Sequence, residues 1–121
     1  MEEIQDATKK FQKEIVGGIS SLVLLSVLGK AGQPMYGYQI AKLIESGSDD
    51  GGIIKQGALY PVLRSLESSS LLSSEVEPSV SGPPRRYYRI TGPGRRALEK
   101  WTEIWRETQG FVETILAGGA R

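Results

Sequence analysis

Apolar residues recur along positions 2–16 at the spacing of a single helix face. Ile4, Thr8, Phe11, Ile15 and Gly18 follow one another at intervals of four, three, four and three, with charged residues in the gaps, and this predicts an amphipathic helix. Gly17-Gly18 reads as a bend or a point of close packing. From Ile19 to Leu28 the chain is apolar on nearly every side, which predicts a buried helix. Gly29, Gly32 and Pro34 are placed to stop it. Residues 36–45 predict another helix, with Ile40, Leu43 and Ile44 inward and Gln39, Lys42 and Glu45 outward. Positions 46–52 hold only Ser, Gly and Asp and read as a loop. Residues 57–70 predict a further helix, striped by Leu59, Val62, Leu63 and Leu66. Gly57 is placed to cap it, and Pro61 falls at the end of its first turn, where a missing N–H costs least.

The period then changes from 3.6 to 2. Leu72, Ser74 and Val76 alternate with Ser73, Glu75 and Glu77, and after a Pro/Gly/Ser loop at 78–84 the alternation returns. Arg86, Tyr88 and Ile90 take one face, and Arg85, Tyr87 and Arg89 the other, which predicts a protruding β-hairpin. Thr91 is a good N-cap for a last helix with Pro93 in its first turn. Along that helix Leu98, Trp101, Trp105, Thr108, Val112 and Ile115 form an a/d seam, widened by Ile104 and Phe111 and closed by Gly118-Gly119.

Three helices followed by a hairpin and a helix give a mainly α fold class with a small β-hairpin, the order of a winged helix-turn-helix. The reading divides the chain into an N-terminal dimerisation helix at 1–18, the winged helix at 19–91 and a C-terminal dimerisation helix at 92–121. An α-helix fits the major groove of B-DNA, and a basic hairpin beside it can grip a phosphate strand. The helix at 57–70 holds the recognition position, with Lys55, Gln56, Tyr60 and Arg64 on its outward side near the start. Gln can read adenine and Arg guanine, each with two hydrogen bonds. Tyr38 and Lys42, from the preceding helix, and Arg85 and Arg86, after the stiff Pro83-Pro84 pair, complete the candidate DNA contacts. The dimer interface is expected at Phe11, Ile15, Leu98, Trp101, Trp105, Thr108, Val112 and Ile115.

Charge supports this reading and composition narrows the alternatives. The net charge of +1 hides a basic stretch at 85–100, with six Lys/Arg against one acidic residue. Such a face suits an anion, although a solvated surface looks the same in sequence. The chain has 121 residues, room for one domain, with no cysteine and no histidine. Disulfides, thiolate metal sites and the commonest general base are therefore excluded. No metal-ligand spacing, phosphate loop or other cofactor motif is present. The most apolar run, Ile19 to Leu28, is about half the roughly 20 residues that a bilayer needs, so no membrane association is expected. The Met-Glu-Glu start is not a secretory signal, and a cytoplasmic location follows.

Singly, each feature is ordinary. A surface arginine is usually only solvated, strand arginines also blunt sheet edges, and tyrosines are often half-buried core. A winged helix that binds only proteins, an adaptor, would use the same dimer seams without a basic strip.

Particular segments narrow the choice. Tyr36-Gly37-Tyr38-Gln39-Ile40 resembles the His-Gly-Tyr-Glu-Leu segment of the PadR family of regulators. The run from Gly57 to Glu67, Gly-Ala-Leu-Tyr-Pro-Val-Leu-Arg-Ser-Leu-Glu, resembles its Gly-Thr-Leu-Tyr-Pro-x-Leu-x-x-Leu-Glu signature. The run from Gly82 to Thr91 resembles its wing, Gly-Pro-x-Arg-Lys-Tyr-Tyr-x-Leu-Thr, followed by Gly94. The likeness spans roughly residues 20–100. It implies a DNA-binding transcription regulator, usually a repressor, that acts as a homodimer on a pseudo-palindromic operator in double-stranded DNA. It also implies that the N- and C-terminal helices pack across the two-fold axis. Tyr36 stands where His is usual, Gln56 for a common Pro, and Ala58 for a common Thr whose hydroxyl would cap the helix. The resemblance further implies a small phenolic or flat aromatic effector, for which Trp101 and Trp105, one turn apart, could line a pocket. Aromatics also fill ordinary interface core.

Overall fold

The computed structural model describes residues 2–46 and 54–119. The first helix, α1, runs from Glu2 to Ala31 without interruption. Gly17-Gly18 therefore does not divide it, and Gly29 does not stop it. The neighbouring Ser20 is buried, and its hydroxyl donates to the Val16 carbonyl at 2.6 Å, so the helix loses no hydrogen bond there. This continuity corrects one expectation. Joined, the two segments make a helix long and apolar enough, by length and composition alone, to cross a membrane. Only part of that apolar stretch is taken up by the fold: Leu24, Leu25 and Leu28 are buried in the chain's own core, while Ile15 is exposed and Ile19 and Leu22 are half-covered.

A two-residue strand, β1 (Met35–Tyr36), leads directly into α2 (Gly37–Ser46). Ile40 is buried and Ile44 partly so, but Leu43 is 51% exposed, which corrects its inward placement. A ten-residue helix packed through one narrow stripe buries the positions nearest that stripe and leaves the flank in water. The Ser/Gly/Asp loop at 46–52 lies outside the described residues, apart from Ser46 at the end of α2.

The recognition-position helix, α3, spans Gln56–Ser68. Its N-cap is Lys55, in extended conformation with no side-chain cap bond, rather than Gly57. Leu59, Leu63 and Leu66 are buried. The helix ends in a Schellman turn: Leu71 N–H bonds the Leu66 carbonyl and Ser70 N–H the Glu67 carbonyl, each at 2.9 Å. Ser70 takes the left-handed position at φ 63°.

The wing is β2 (Leu72–Glu77) and β3 (Arg85–Ile90), paired antiparallel from Leu72↔Ile90 to Glu77↔Arg85. The hairpin gains a third strand that the alternation did not reveal. β1 pairs antiparallel with β3 through Met35↔Tyr88 and Tyr36↔Tyr87, giving the order β1-β3-β2. Met35, Leu72 and Tyr88 fill the core side of this sheet.

The last helix, α4, spans Gly92–Leu116. Thr91 caps it as expected, accepting from Gly94 N–H at 3.0 Å. Its hydroxyl also donates to the Ser70 carbonyl at 2.7 Å, and Thr91 N–H reaches the Leu71 carbonyl at 3.2 Å. The start of α4 is thus tied to the turn that ends α3. Leu98 and Trp101 pack against the core beside α1, while the rest of α4 runs out with little cover.

Candidate nucleic-acid interface

Three elements carry the candidate contacts: the start of α2, the outward face of α3 and the β3 strand of the wing. The pairing of Tyr36 with Tyr87 joins the first to the third. Tyr60 joins the first to the second, because its hydroxyl end lies against Gly37. A Cβ at Gly37 would collide with that hydroxyl and stand 2.8 Å from the Tyr60 Cζ. Glycine is therefore what lets Tyr60 lie flat across the entry to α2, and Tyr60 remains partly exposed there.

Along α3, Lys55, Tyr60 and Arg64 are exposed, and the side chain of Gln56 lies outside the described residues. Arg64 lines a recess of about 420 Å³ with Tyr60, Glu67, Arg86 and Tyr88. Tyr88 forms its buried floor. Burial raises the Tyr88 phenol above its ordinary value. Arg86 opposes that rise, and the negative field of Glu67 adds to it.

At the start of α2 the rings form a series. Tyr36 stacks on Tyr38 with centres 6.4 Å apart and meets Tyr87 edge-on at 5.4 Å. Two of the three rings, the central Tyr36 and the terminal Tyr38, carry a cation. The Arg85 guanidinium lies 4.4 Å from the centre of the Tyr36 ring, and Lys42 Nζ lies 5.6 Å from that of Tyr38. Tyr38 is 53% exposed. A guanidinium lying over a ring keeps its N–H edge free for an anion. This arrangement therefore presents two oriented positive groups to the solvent. Of the rings, Tyr36 and Tyr87 were not singled out as site residues from sequence. Their signal was the two-residue step from Tyr36 to Tyr38, which becomes legible only once β1 is known to pair with β3.

The strand pleat separates Arg85 from Arg86 as the alternation predicts. Arg85, Tyr87 and Arg89 share the face away from the core, where Tyr87 is half-buried beneath Tyr36. Arg89 makes a 3.7 Å pair with Glu75, both well exposed and worth little. Arg86 turns the other way, and its Nη1 donates to Ser74 Oγ at 2.9 Å.

The seam residues of α4 face α1 across an open groove of about 750 Å³. Ile15, Ile19 and Leu22 line one side, and Trp101, Trp105 and Val112 the other. Thr108, Gln109 and Glu113 add polar groups at its edge, a convergence the sequence did not suggest. Phe11, Ile15, Trp105, Val112 and Ile115 are exposed in the single chain, as is Thr108, whereas Leu98 and Trp101 are partly covered by the chain's own core.

Residues 24–100 match the family described as Transcriptional regulator PadR-like. The chain is 40% identical over 78 residues to Transcriptional regulator Rv3488 of Mycobacterium tuberculosis, covering 64% of this chain and 69% of that one. It is similar to the crystal structure of a PadR family transcriptional regulator from Eggerthella lenta, with 32% identity, a TM-score of 0.74, and coverage of 96% of this chain and 97% of the other. A transcriptional regulator from Clostridium thermocellum also superimposes with a TM-score of 0.74, at 28% identity, over 84% of this chain and 96% of that one.

Proposed function

Because this chain belongs to the PadR-like family of transcriptional regulators, we propose that it acts as a homodimeric repressor that binds a pseudo-palindromic operator in double-stranded DNA. The observation that carries this reading is the pair of cations, Arg85 on Tyr36 and Lys42 on Tyr38, held where β1, α2 and the wing meet. In this reading Lys55, Gln56, Tyr60 and Arg64 address base edges in the major groove, Tyr38, Lys42 and Arg85 lie along the backbone, and Arg86 belongs to the wing's side of the interface. Phosphate contacts set register and affinity, and base contacts set sequence.

The remaining surface supports the dimer. Phe11, Ile15, Trp105, Phe111, Val112 and Ile115 leave an apolar strip in water along α1 and α4, and a second copy laid against it would bury that strip. The three segments 1–18, 19–91 and 92–121 then divide the work between assembly at both ends and DNA binding in the middle. A flat aromatic effector would lie in the groove between α1 and α4, on the wall that Trp101 and Trp105 form, and the site of action is the cytoplasm, where the DNA lies.

The test is fluorescence anisotropy on duplex DNA from upstream of the protein's own coding sequence, across a salt series, with footprinting of the bound duplex. Half-sites about 34 Å apart and a steep inverse salt dependence are expected. Binding no tighter than to random duplex of equal length, at every salt concentration, sinks the reading.

A further inference from the structure

Arg85 and Arg86 are adjacent in sequence and do different things. Arg86 shares its face of β3 with the buried Tyr88 and so turns toward α3. Its Nη1 donates to Ser74 Oγ at 2.9 Å, and Ser74 Oγ donates onward to Glu67 Oε2 at 2.6 Å. A hydroxyl has one proton to give and lone pairs with which to accept, so the bonds run one way, from guanidinium through hydroxyl to carboxylate. Both ends are charged, which makes each bond stronger than a neutral one. Glu67 lies in the last turn of α3, Ser74 on β2 and Arg86 on β3. The relay therefore ties the recognition-position helix to both strands of the wing, across the recess that Arg64 lines.

We propose that Arg86 is a positioning residue that sets the angle between wing and α3 through Ser74 and Glu67, while Arg85 carries the phosphate grip of the wing. This rests on the DNA-binding reading above and changes the part Arg86 plays in it. A helix in the major groove and a wing on the backbone must meet one duplex together, so an error in their angle loses contacts at one or the other. The carboxylate of Glu67 offsets the charge of Arg86 and leaves Arg64, three residues earlier on α3, to address the bases.

The test uses the tightest duplex that the wild-type protein selects from a random library, and a scrambled duplex of equal length. Arg86→Ala is expected to lower affinity for the selected duplex about tenfold, the effect of roughly one mismatched base pair. Its salt slope and its affinity for the scrambled duplex should not change. Ser74→Ala removes no charge and should reproduce this loss. Arg85→Ala should instead lower the log–log salt slope by nearly two per dimer on both duplexes, about 0.9 for each phosphate contact. If Arg86→Ala lowers the slope as Arg85→Ala does, or Ser74→Ala leaves selective binding intact, the proposal fails. Side-chain ¹⁵N relaxation of Arg86 in the free protein gives a reading independent of DNA. Arg86 Nε–H should be ordered in the wild type and mobile in Ser74→Ala, and a mobile wild-type group overturns the relay. A wild-type protein that selects no duplex, with Arg86 still ordered, overturns the DNA reading and the positioning role while leaving the relay itself intact.

Discussion

Arg85 lies over the face of Tyr36 with its guanidinium carbon 4.4 Å from the ring centre, so a residue just before α2 holds the cation of the wing. An exposed contact of this kind contributes about 0.5–1 kcal/mol. Its larger effect is on orientation, because a stacked guanidinium has lost rotamer freedom before DNA arrives. Tyr36→Ala is expected to weaken binding to every duplex by about two- to fivefold. Tyr36→Phe, which keeps the ring, should bind as the wild type does. In an Arg85→Ala background, Tyr36→Ala should add nothing further. Anisotropy titrations of the four proteins measure this, and additive losses would show that Tyr36 acts without Arg85.

Phe111 is 66% exposed and Phe11 61%, whereas Trp101 packs on the chain's own core. Charge placed at these positions should therefore have two different outcomes. Phe111→Glu and Phe11→Glu should give folded monomers, because each side chain loses only what a second copy would cover. Trp101→Glu should unfold the chain as well as dissociate it, by placing a carboxylate within packed apolar groups. Light scattering at micromolar concentration should give twice the 13.2 kDa chain mass for the wild type. A wild-type monomer there removes the dimer, and full helicity by circular dichroism in Trp101→Glu removes the distinction.

Much of this was legible in the sequence, for identifiable reasons. The buried leucine stripe of α3, the alternation of β3 and the Thr91 cap each follow from one local rule, and each is found in place. What is not legible arises where two segments interact. Gly17-Gly18 reads as a break, yet α1 continues through it, since one flank of the helix is held by Leu24, Leu25 and Leu28 in the core. The β1 strand is two residues long, too short for any period, and exists because Tyr36 and Met35 find partners on β3. The Arg86–Ser74–Glu67 relay joins residues 12 and 7 positions apart through a helix end and two strands. No spacing in the sequence announces it.

Tyr88 gives the protein an alkaline signature. Its hydroxyl sits in the floor of the recess, where burial raises the phenol above 10.0; Arg86 pulls it back and Glu67 pushes it further. The fold therefore favours the neutral form more than the unfolded chain does. Its contribution is complete below pH about 10 and is lost as pH rises through the folded value. Urea unfolding between pH 8 and 12 should show a steeper fall in stability above pH about 10 for the wild type than for Tyr88→Phe. Parallel curves would place the alkaline loss in other groups.

The turn that ends α3 sets a last expectation, because the same few atoms carry strain at one residue and close contact at another. Ser70 holds a left-handed backbone that costs an L-residue about 1–2 kcal/mol. Glycine would adopt it freely, against a greater loss of unfolded-chain entropy. The Schellman bonds and the carbonyl that accepts from Thr91 all belong to the backbone, so Ser70→Gly keeps them. A gain of about 0.5–1 kcal/mol is expected. Gly94 is the opposite case. A Cβ there would collide with the Leu71 carbonyl oxygen and stand 2.7 Å from Ile90 Cγ1. A carbonyl held in the turn cannot swing aside as a side chain could. Gly94→Ala should lose about 1–3 kcal/mol by overpacking. It should also loosen the joint between α4 and the winged helix. Thermal unfolding of both variants should be compared at one fixed protein concentration, since dimer stability depends on it. A Gly94→Ala protein as stable as the wild type would show that α4 can lift from the turn without cost.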